Sequence, residues 1–134
     1  MFIPQSLNLR ITGIGIDLVS CERMERFIKE HEESLETFFS NEEIAYCRSH
    51  RNETPYFAAR FAAKEAVMKA IGIGILEIGS MRDIEIVHEP SGQPRPVLRG
   101  GALRRQEQAK IAQVHVSISH CELYSIAQAI AVGE

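Results

Sequence analysis

Phe57-Ala-Ala-Arg60-Phe-Ala-Ala-Lys64-Glu65-Ala-Val-Met-Lys69-Ala70 is the stretch that decides how this chain folds. Its spacing predicts a helix with Phe57, Phe61 and Met68 on one stripe and Ala59, Ala63, Ala66 and Ala70 on the roughly opposite one. Arg60 and Lys64 fall in one seam between the stripes, Glu65 and Lys69 in the other. No broad polar face is left for water, so the helix is expected to be covered on both sides. Its charges are then sheltered, and sheltered charges need partners. Three cations and one carboxylate point to an anionic partner, with a metal ion beside the glutamate.

Upstream, Ile11 to Val19 alternates: Ile14, Ile16 and Leu18 point one way, and Gly13, Gly15 and Asp17 the other. The period predicts a strand with one apolar face and one face bare of side chains until Asp17. Ser20 is placed to N-cap a helix carrying Met24, Phe27 and Ile28 at helical spacing, with Arg23, Arg26 and Lys29 toward solvent. Ser40 and Glu43 make a capping box, and Phe39 with Ile44 a hydrophobic staple, for a second helix running to about Cys47. Arg48 to Pro55 is polar and is expected as a loop.

Downstream, Gly72 and Gly74 stop the central helix. Residues 75–82 read as a flexible connection. Asp83–His88 and Arg95–Arg99 are expected as a hairpin, followed by a short basic helix over Ala102–Ala112. Val114–Ser119 and Leu123–Val132 alternate well enough for a second hairpin, although the Ala-rich tail also fits a helix. Helices early and hairpins late make the fold class α+β. No linker or repeat divides the chain, so residues 1–134 are expected as one domain, with 1–10 an extension or a leading edge strand.

A chain of 134 residues with 45% hydrophobic and 25% charged content is ordinary for a globular domain. Its net charge of −3 argues against a general nucleic-acid binder. Cys21, Cys47 and Cys121 are far apart with no zinc-type spacing, and read as free thiols in a reducing cytoplasm. No apolar run approaches the roughly 20 residues that span a bilayer, and the N-terminus lacks the pattern of a signal peptide. A cytoplasmic protein without membrane partners is the expectation.

Asp17 and Glu65 are the candidate metal ligands. Taken alone, Asp17 reads most simply as a cap for the next turn, and Glu65 as an i,i+4 partner of Lys69. Taken together they offer hard oxygens to Mg²⁺, which accepts one or two carboxylates and completes its shell with waters and phosphates. Arg60, Lys64 and Lys69 then suit phosphate oxygens, or snorkel out of a buried helix. Gly72 and Gly74 permit close backbone approach to a ligand. His115, Ser117 and Ser119 share a strand face, but no nucleophile elbow is present.

These residues converge on one family. Gly13-Ile-Gly-Ile-Asp17-Leu-Val-Ser-Cys-Glu-Arg23 resembles the first motif of the 4'-phosphopantetheinyl transferases, and Phe57-Ala-Ala-Arg60 through Lys69-Ala-Ile-Gly72 resembles the second. Their separation, the Gly92-Gln-Pro94 turn and Val116-Ser-Ile-Ser-His120 fit as well, and the chain length resembles the short group of that family. The resemblance implies a long central helix packed on an antiparallel sheet. It also implies Mg²⁺-dependent transfer of 4'-phosphopantetheine from coenzyme A to a serine of apo acyl carrier protein, with release of 3',5'-ADP. Asp17 and Glu65 match the metal ligands, and Glu65 or a water it orients would take the serine proton. Catalytic roles fall to Glu65, Asp17 and Lys69. Arg60, Lys64, Lys69, Gly72 and His120 match positions around coenzyme A, and Arg23 with Arg26 would dock the carrier. Short members resemble homotrimers with sites between subunits, which would explain two covered faces on the central helix, and its alanine stripe is a candidate for close packing in the core or at a subunit boundary. The first helix runs into Lys29-Glu-His-Glu-Glu33, an acid-rich departure from a basic docking surface. The alternatives are a Mg²⁺-dependent pyrophosphate or nucleotide hydrolase, and a non-catalytic coenzyme A or carrier-binding domain.

Overall fold

The structure, a computed structural model, describes residues 8–134. The reading of the first ten residues as an extension or edge strand lies mostly outside the described residues. Strand β1 (Arg10–Ser20) leads into helix α1 (Cys21–Glu30), a 3₁₀ turn (Glu32–Thr37) and helix α2 (Asn41–Arg48). The long helix α3 (Thr54–Ile71) is followed by a short α4 (Ile75–Ile78) and a 3₁₀ turn (Met81–Asp83). Strands β2 (Ile84–His88) and β3 (Pro94–Leu98), helix α5 (Gly100–Gln108), and strands β4 (Ile111–His120) and β5 (Tyr124–Gly133) complete the chain. β5 lies between β1 and β4 in one antiparallel sheet, and β2 pairs with β3 in a second. The Ala-rich tail is therefore a strand, and a central one.

Helix α3 is held against the sheet by the absence of side chains on β1. A Cβ on Gly13 would run into the Ala70 carbonyl, and one on Gly15 into that of Ala66. Glycine on the strand and alanine on the helix let the two backbones approach directly. Ala127, Ala129 and Ala131 of β5 continue the same small-residue floor and are buried. The opposite side of α3, with Phe57, meets a second core of Met24, Ile28, Leu35, Phe39 and Cys47, drawn from α1, the first 3₁₀ turn, the link after it and α2. Both faces of α3 are thus covered within one chain, and twelve of its residues are buried. Of the two places expected for the alanine stripe, the core is the one adopted: it packs with the alanines of β5, while α1 and α2 cover the other face.

The local signals behave as chemistry requires. The Ser20 hydroxyl accepts from the Arg23 amide and caps α1. Ser40 and Glu43 form a complete capping box on α2. Pro55 sits in the first turn of α3, where its missing N–H costs nothing, and Gly72 ends the helix at φ 74°, ψ 41°. Residues 75–82 are not a plain connection, since Ile78 and Met81 are buried and anchor α4 and the second 3₁₀ turn. Gly100 and Gly101 open α5, two residues before the helix was expected to begin. The three thiols are unpaired. Cys47 lies in the core, where burial pushes its thiol up to about 12.

The outer face of the sheet is apolar. Ile14, Ile16 and Leu18 of β1 are 65%, 57% and 60% exposed, and Ile126 of β5 lies on the same side. Among the described residues no helix is long and apolar enough to cross a membrane.

Candidate active site

Asp17 is the first side chain that β1 projects toward α3 after Gly13 and Gly15, so the close packing opens there. The gap is a cleft of about 230 Å³ lined by Asp17, Ser20, Arg23, Phe27, Phe61 and Glu65. Its walls are the end of β1, the start of α1 and the middle of α3. Burial first, and then the charge of Asp17, push the Glu65 carboxyl above its usual range, against the pull of Lys69. Lys69 is half exposed and donates to the Ile16 carbonyl at 2.8 Å and to Asp17 Oδ1 at 3.4 Å. It pairs with Asp17, and Glu65 has no ion-pair partner within 4 Å among the described residues. The plain Glu65–Lys69 helix pair is therefore not the arrangement adopted.

This donor set suits Mg²⁺. Two carboxylates that repel each other make the cleft oxygen-rich, with Lys69 paired to Asp17 and Arg23 in the lining, and one or two carboxylates are what a Mg²⁺ site shared with phosphate takes. No larger cluster of His, Cys, Asp and Glu with metal-holding geometry occurs among the described residues.

Lys64 does not join the cleft. Its ammonium is fully buried and donates to Glu43 Oε1 at 2.7 Å, to the Met81 carbonyl at 3.1 Å and to the Ile84 carbonyl. All three of its donors are used. Burial pulls the ammonium below its usual range, and Glu43 opposes that pull. Glu43 also accepts from the Ser40 and Ile86 amides, and the Ser40 hydroxyl donates to Glu85 at 2.6 Å. Burial alone would raise Glu85, but the bonds from Ser40 and Arg99 hold it below the usual carboxylate range. The expectation of a phosphate contact from Lys64 is corrected: it ties α3 to α2 and β2.

Arg60, one turn earlier on the same seam, is also buried. Its guanidinium lies over the Tyr46 ring at 4.0 Å, and Nη2 is 3.1 Å from His88 Nδ1. Nε has no partner. His120 is exposed at the end of β4 with its ring 6.2 Å from Tyr56, at the N-terminal end of α3. The structure therefore groups Asp17, Glu65 and Lys69 in one place, and gathers Arg60 and His120 around an aromatic cluster elsewhere. Gly72 belongs to neither group. It lines a hollow of about 370 Å³ with Arg10, Lys69 and Arg105. Arg23 and Arg26 are exposed on α1, with Arg26 bonded to Glu22 at 3.3 Å. Tyr46 and His88 escaped the sequence reading. For Tyr46 the one local signal was His50, four residues on and just past the end of α2.

A family model for the 4'-phosphopantetheinyl transferase superfamily matches residues 13–129, and the chain belongs to that superfamily. It is 43% identical over 116 residues to the holo-[acyl-carrier-protein] synthase of Moorella thermoacetica, covering 87% of this chain and 90% of that one. Among solved structures, holo-[acyl-carrier-protein] synthase from Neisseria meningitidis superposes with a TM-score of 0.82 at 33% identity, covering 91% of this chain and 98% of that one. The Helicobacter pylori enzyme, in complex with coenzyme A, superposes with a TM-score of 0.76 at 34% identity, covering 88% and 98%.

Proposed function

We propose that this chain is a holo-[acyl-carrier-protein] synthase. It transfers 4'-phosphopantetheine from coenzyme A to a serine of an apo acyl carrier protein, with Mg²⁺, and releases 3',5'-ADP. The observation that carries the reading is the Asp17–Glu65 cleft, where Lys69 pairs with Asp17 and Glu65 has no ion-pair partner among the described residues, in a chain of this family. Asp17 and Glu65 would hold the metal, which neutralises charge on the diphosphate when bound. The serine oxygen attacks the phosphorus next to the pantetheine, and the bond from that phosphorus to the bridging oxygen breaks. The electron pair leaves with 3',5'-ADP. Negative charge grows on the departing oxygens, and the half-exposed Lys69 ammonium, which has a third donor beyond those given to Ile16 and Asp17, stabilises it. The serine proton goes to Glu65 or to a water that Glu65 orients.

Arg60 and His120 take the adenosine-phosphate end of coenzyme A. Arg23, which lines the cleft, and Arg26 beside it on α1 receive the carrier. The exposed Ile14–Ile16–Leu18 face supports a homotrimer, since a patch of that composition calls for a partner surface. The protein works in the cytoplasm.

The deciding experiment incubates the chain with Mg²⁺, coenzyme A and apo acyl carrier proteins, and reads carrier mass. A gain of one phosphopantetheine group is expected. Release of 3',5'-ADP with no mass gain on any carrier identifies a hydrolase and overturns the reading. Binding of coenzyme A with neither product identifies a non-catalytic domain.

A further inference from the structure

Arg60 is a buried cation without an anion. It is 3% exposed, no carboxylate lies within 4 Å of its guanidinium among the described residues, and its Nε is unpartnered. Such a group is costly unless something holds it ready for a ligand. What holds it is a ring. Tyr46 supplies the face under the guanidinium at 4.0 Å and stacks on His88 at 5.0 Å. His88 takes the Arg60 Nη2 contact on Nδ1, so its own proton sits on Nε2. Burial, then Arg60, depress the His88 imidazole below its usual range, which favours that neutral form.

Tyr46 is itself fixed from other sides. His50 and Tyr56 meet its ring at 4.9 and 6.0 Å and stack on each other at 3.5 Å. His50 Nδ1 lies 2.9 Å from the Tyr46 carbonyl. The helix bearing Tyr46 is bolted to α3 through Glu43 and Lys64, one turn from Arg60. Arg60 therefore has little freedom to turn toward water.

We propose that Tyr46 is a positioning residue that acts through Arg60. It clamps the guanidinium against His88 and aims it at the phosphate of coenzyme A remote from the diphosphate. The inference rests on the coenzyme A reading above. The Asp17–Glu65–Lys69 cleft is assigned to the diphosphate, and coenzyme A carries one further phosphate, on the ribose. Arg60 is the buried cation outside that cleft with no carboxylate of its own. The clamp thus sets the preference for coenzyme A over dephospho-coenzyme A, which lacks that group.

Calorimetric titration of the chain with each compound, in Mg²⁺, tests this. Tyr46→Leu is expected to weaken coenzyme A about 30-fold, the size of one desolvated cation–π contact. Dephospho-coenzyme A should bind as it does to the parent. Tyr46→Phe keeps the ring and is expected to restore parental affinity. Added to Arg60→Gln, Tyr46→Leu should cause no further loss. Should Tyr46→Leu fail to fold, Tyr46→Met keeps the bulk without the π face and carries the same expectations. Weakening of coenzyme A by Arg60→Gln but not by the Tyr46 variants overturns the clamp. So does equal weakening of both compounds by the Tyr46 variants. If Arg60→Gln leaves coenzyme A binding unchanged, the assignment of Arg60 fails, and the clamp with it.

Discussion

Lys64 and Glu65 are neighbours in sequence and opposites in circumstance. A step of roughly 100° around the helix sends Lys64 into the dry seam between α2 and β2, and Glu65 into the cleft beside Asp17. Lys64 is fully buried, with all three donors engaged. Glu65 is half-buried, faces a like charge and lacks an ion-pair partner among the described residues. Buried charge with complete satisfaction serves the fold, because any change to it leaves a partner stranded. Sheltered charge left unsatisfied costs stability, and is kept only where a ligand completes it.

The largest effects separate these two residues. Glu65→Gln is expected to lower the rate of transfer about 10³-fold, within the span for losing a positioned base, while leaving the fold intact. Far-UV circular dichroism and carrier mass shift check both halves. Removal of the repelling charge also predicts a gain in stability. A carboxyl raised in the folded chain binds its proton more tightly folded than unfolded. Its contribution to stability is present at low pH and is lost as pH rises from the usual carboxylate range through the raised value. Without Mg²⁺, Glu65→Gln should therefore melt no lower than the parent at neutral pH, and the difference should shrink on acidification. A variant that melts well below the parent at pH 7 would assign Glu65 to the fold.

Lys64→Met inverts the outcome. It strands Glu43 in the core, and removal of one member of a buried pair costs roughly 3–5 kcal/mol. Urea denaturation should show that loss. Transfer by the fraction still folded is expected to persist, because Lys64 does not reach the cleft. A stable but inactive Lys64→Met protein would return Lys64 to the phosphate-binding set.

Where the comparison was legible in sequence follows from range. The alternation that bares Gly13 and Gly15 and presents Asp17 has a period of two. The Ser40–Glu43 capping box spans three residues, so both could be read locally. The wheel placed Lys64 and Glu65 in different seams but could not say what covers each seam. Glu43 lies 21 residues from Lys64, and Ile84 lies 20 away. That pairing exists only once α2 and β2 dock. The same limit hid Tyr46 and His88, whose partner Arg60 comes from a third element. Residues 75–82 were misread because Ile78 and Met81 are too few to set a period, although each is buried.

Intermediate in size is the strand against which α3 rests. Gly15→Ala drives a Cβ into the backbone carbonyl of Ala66, which cannot rotate aside as a side chain could. Overpacking of this kind costs about 1–3 kcal/mol or more. The helix must lift, and Glu65 moves with it. A loss of both stability and transfer is expected, in contrast to the clean division between Glu65→Gln and Lys64→Met. Retention of full activity in a destabilised Gly15→Ala protein would show that the cleft tolerates a displaced helix.

The smallest expected effect lies on α1, where charges are exposed and neither buried nor catalytic. Arg26 is bonded to Glu22 and Lys29 to Glu25, both at i,i+4. These pairs contribute a few tenths of a kcal/mol at most, so Glu22→Gln should leave the melting temperature nearly unchanged. It frees Arg26, however, beside the cleft that Arg23 lines. An acidic carrier then meets two available cations instead of one. KM for the carrier is expected to fall about two- to threefold at low salt, with kcat unchanged, and the gain should vanish as salt screens the exposed charge. A gain that survives high salt would mean that α1 meets the carrier through apolar contact. No change at any salt would place the carrier away from Arg26. Either result would separate the surface that recognises the protein substrate from the cleft that holds the diphosphate.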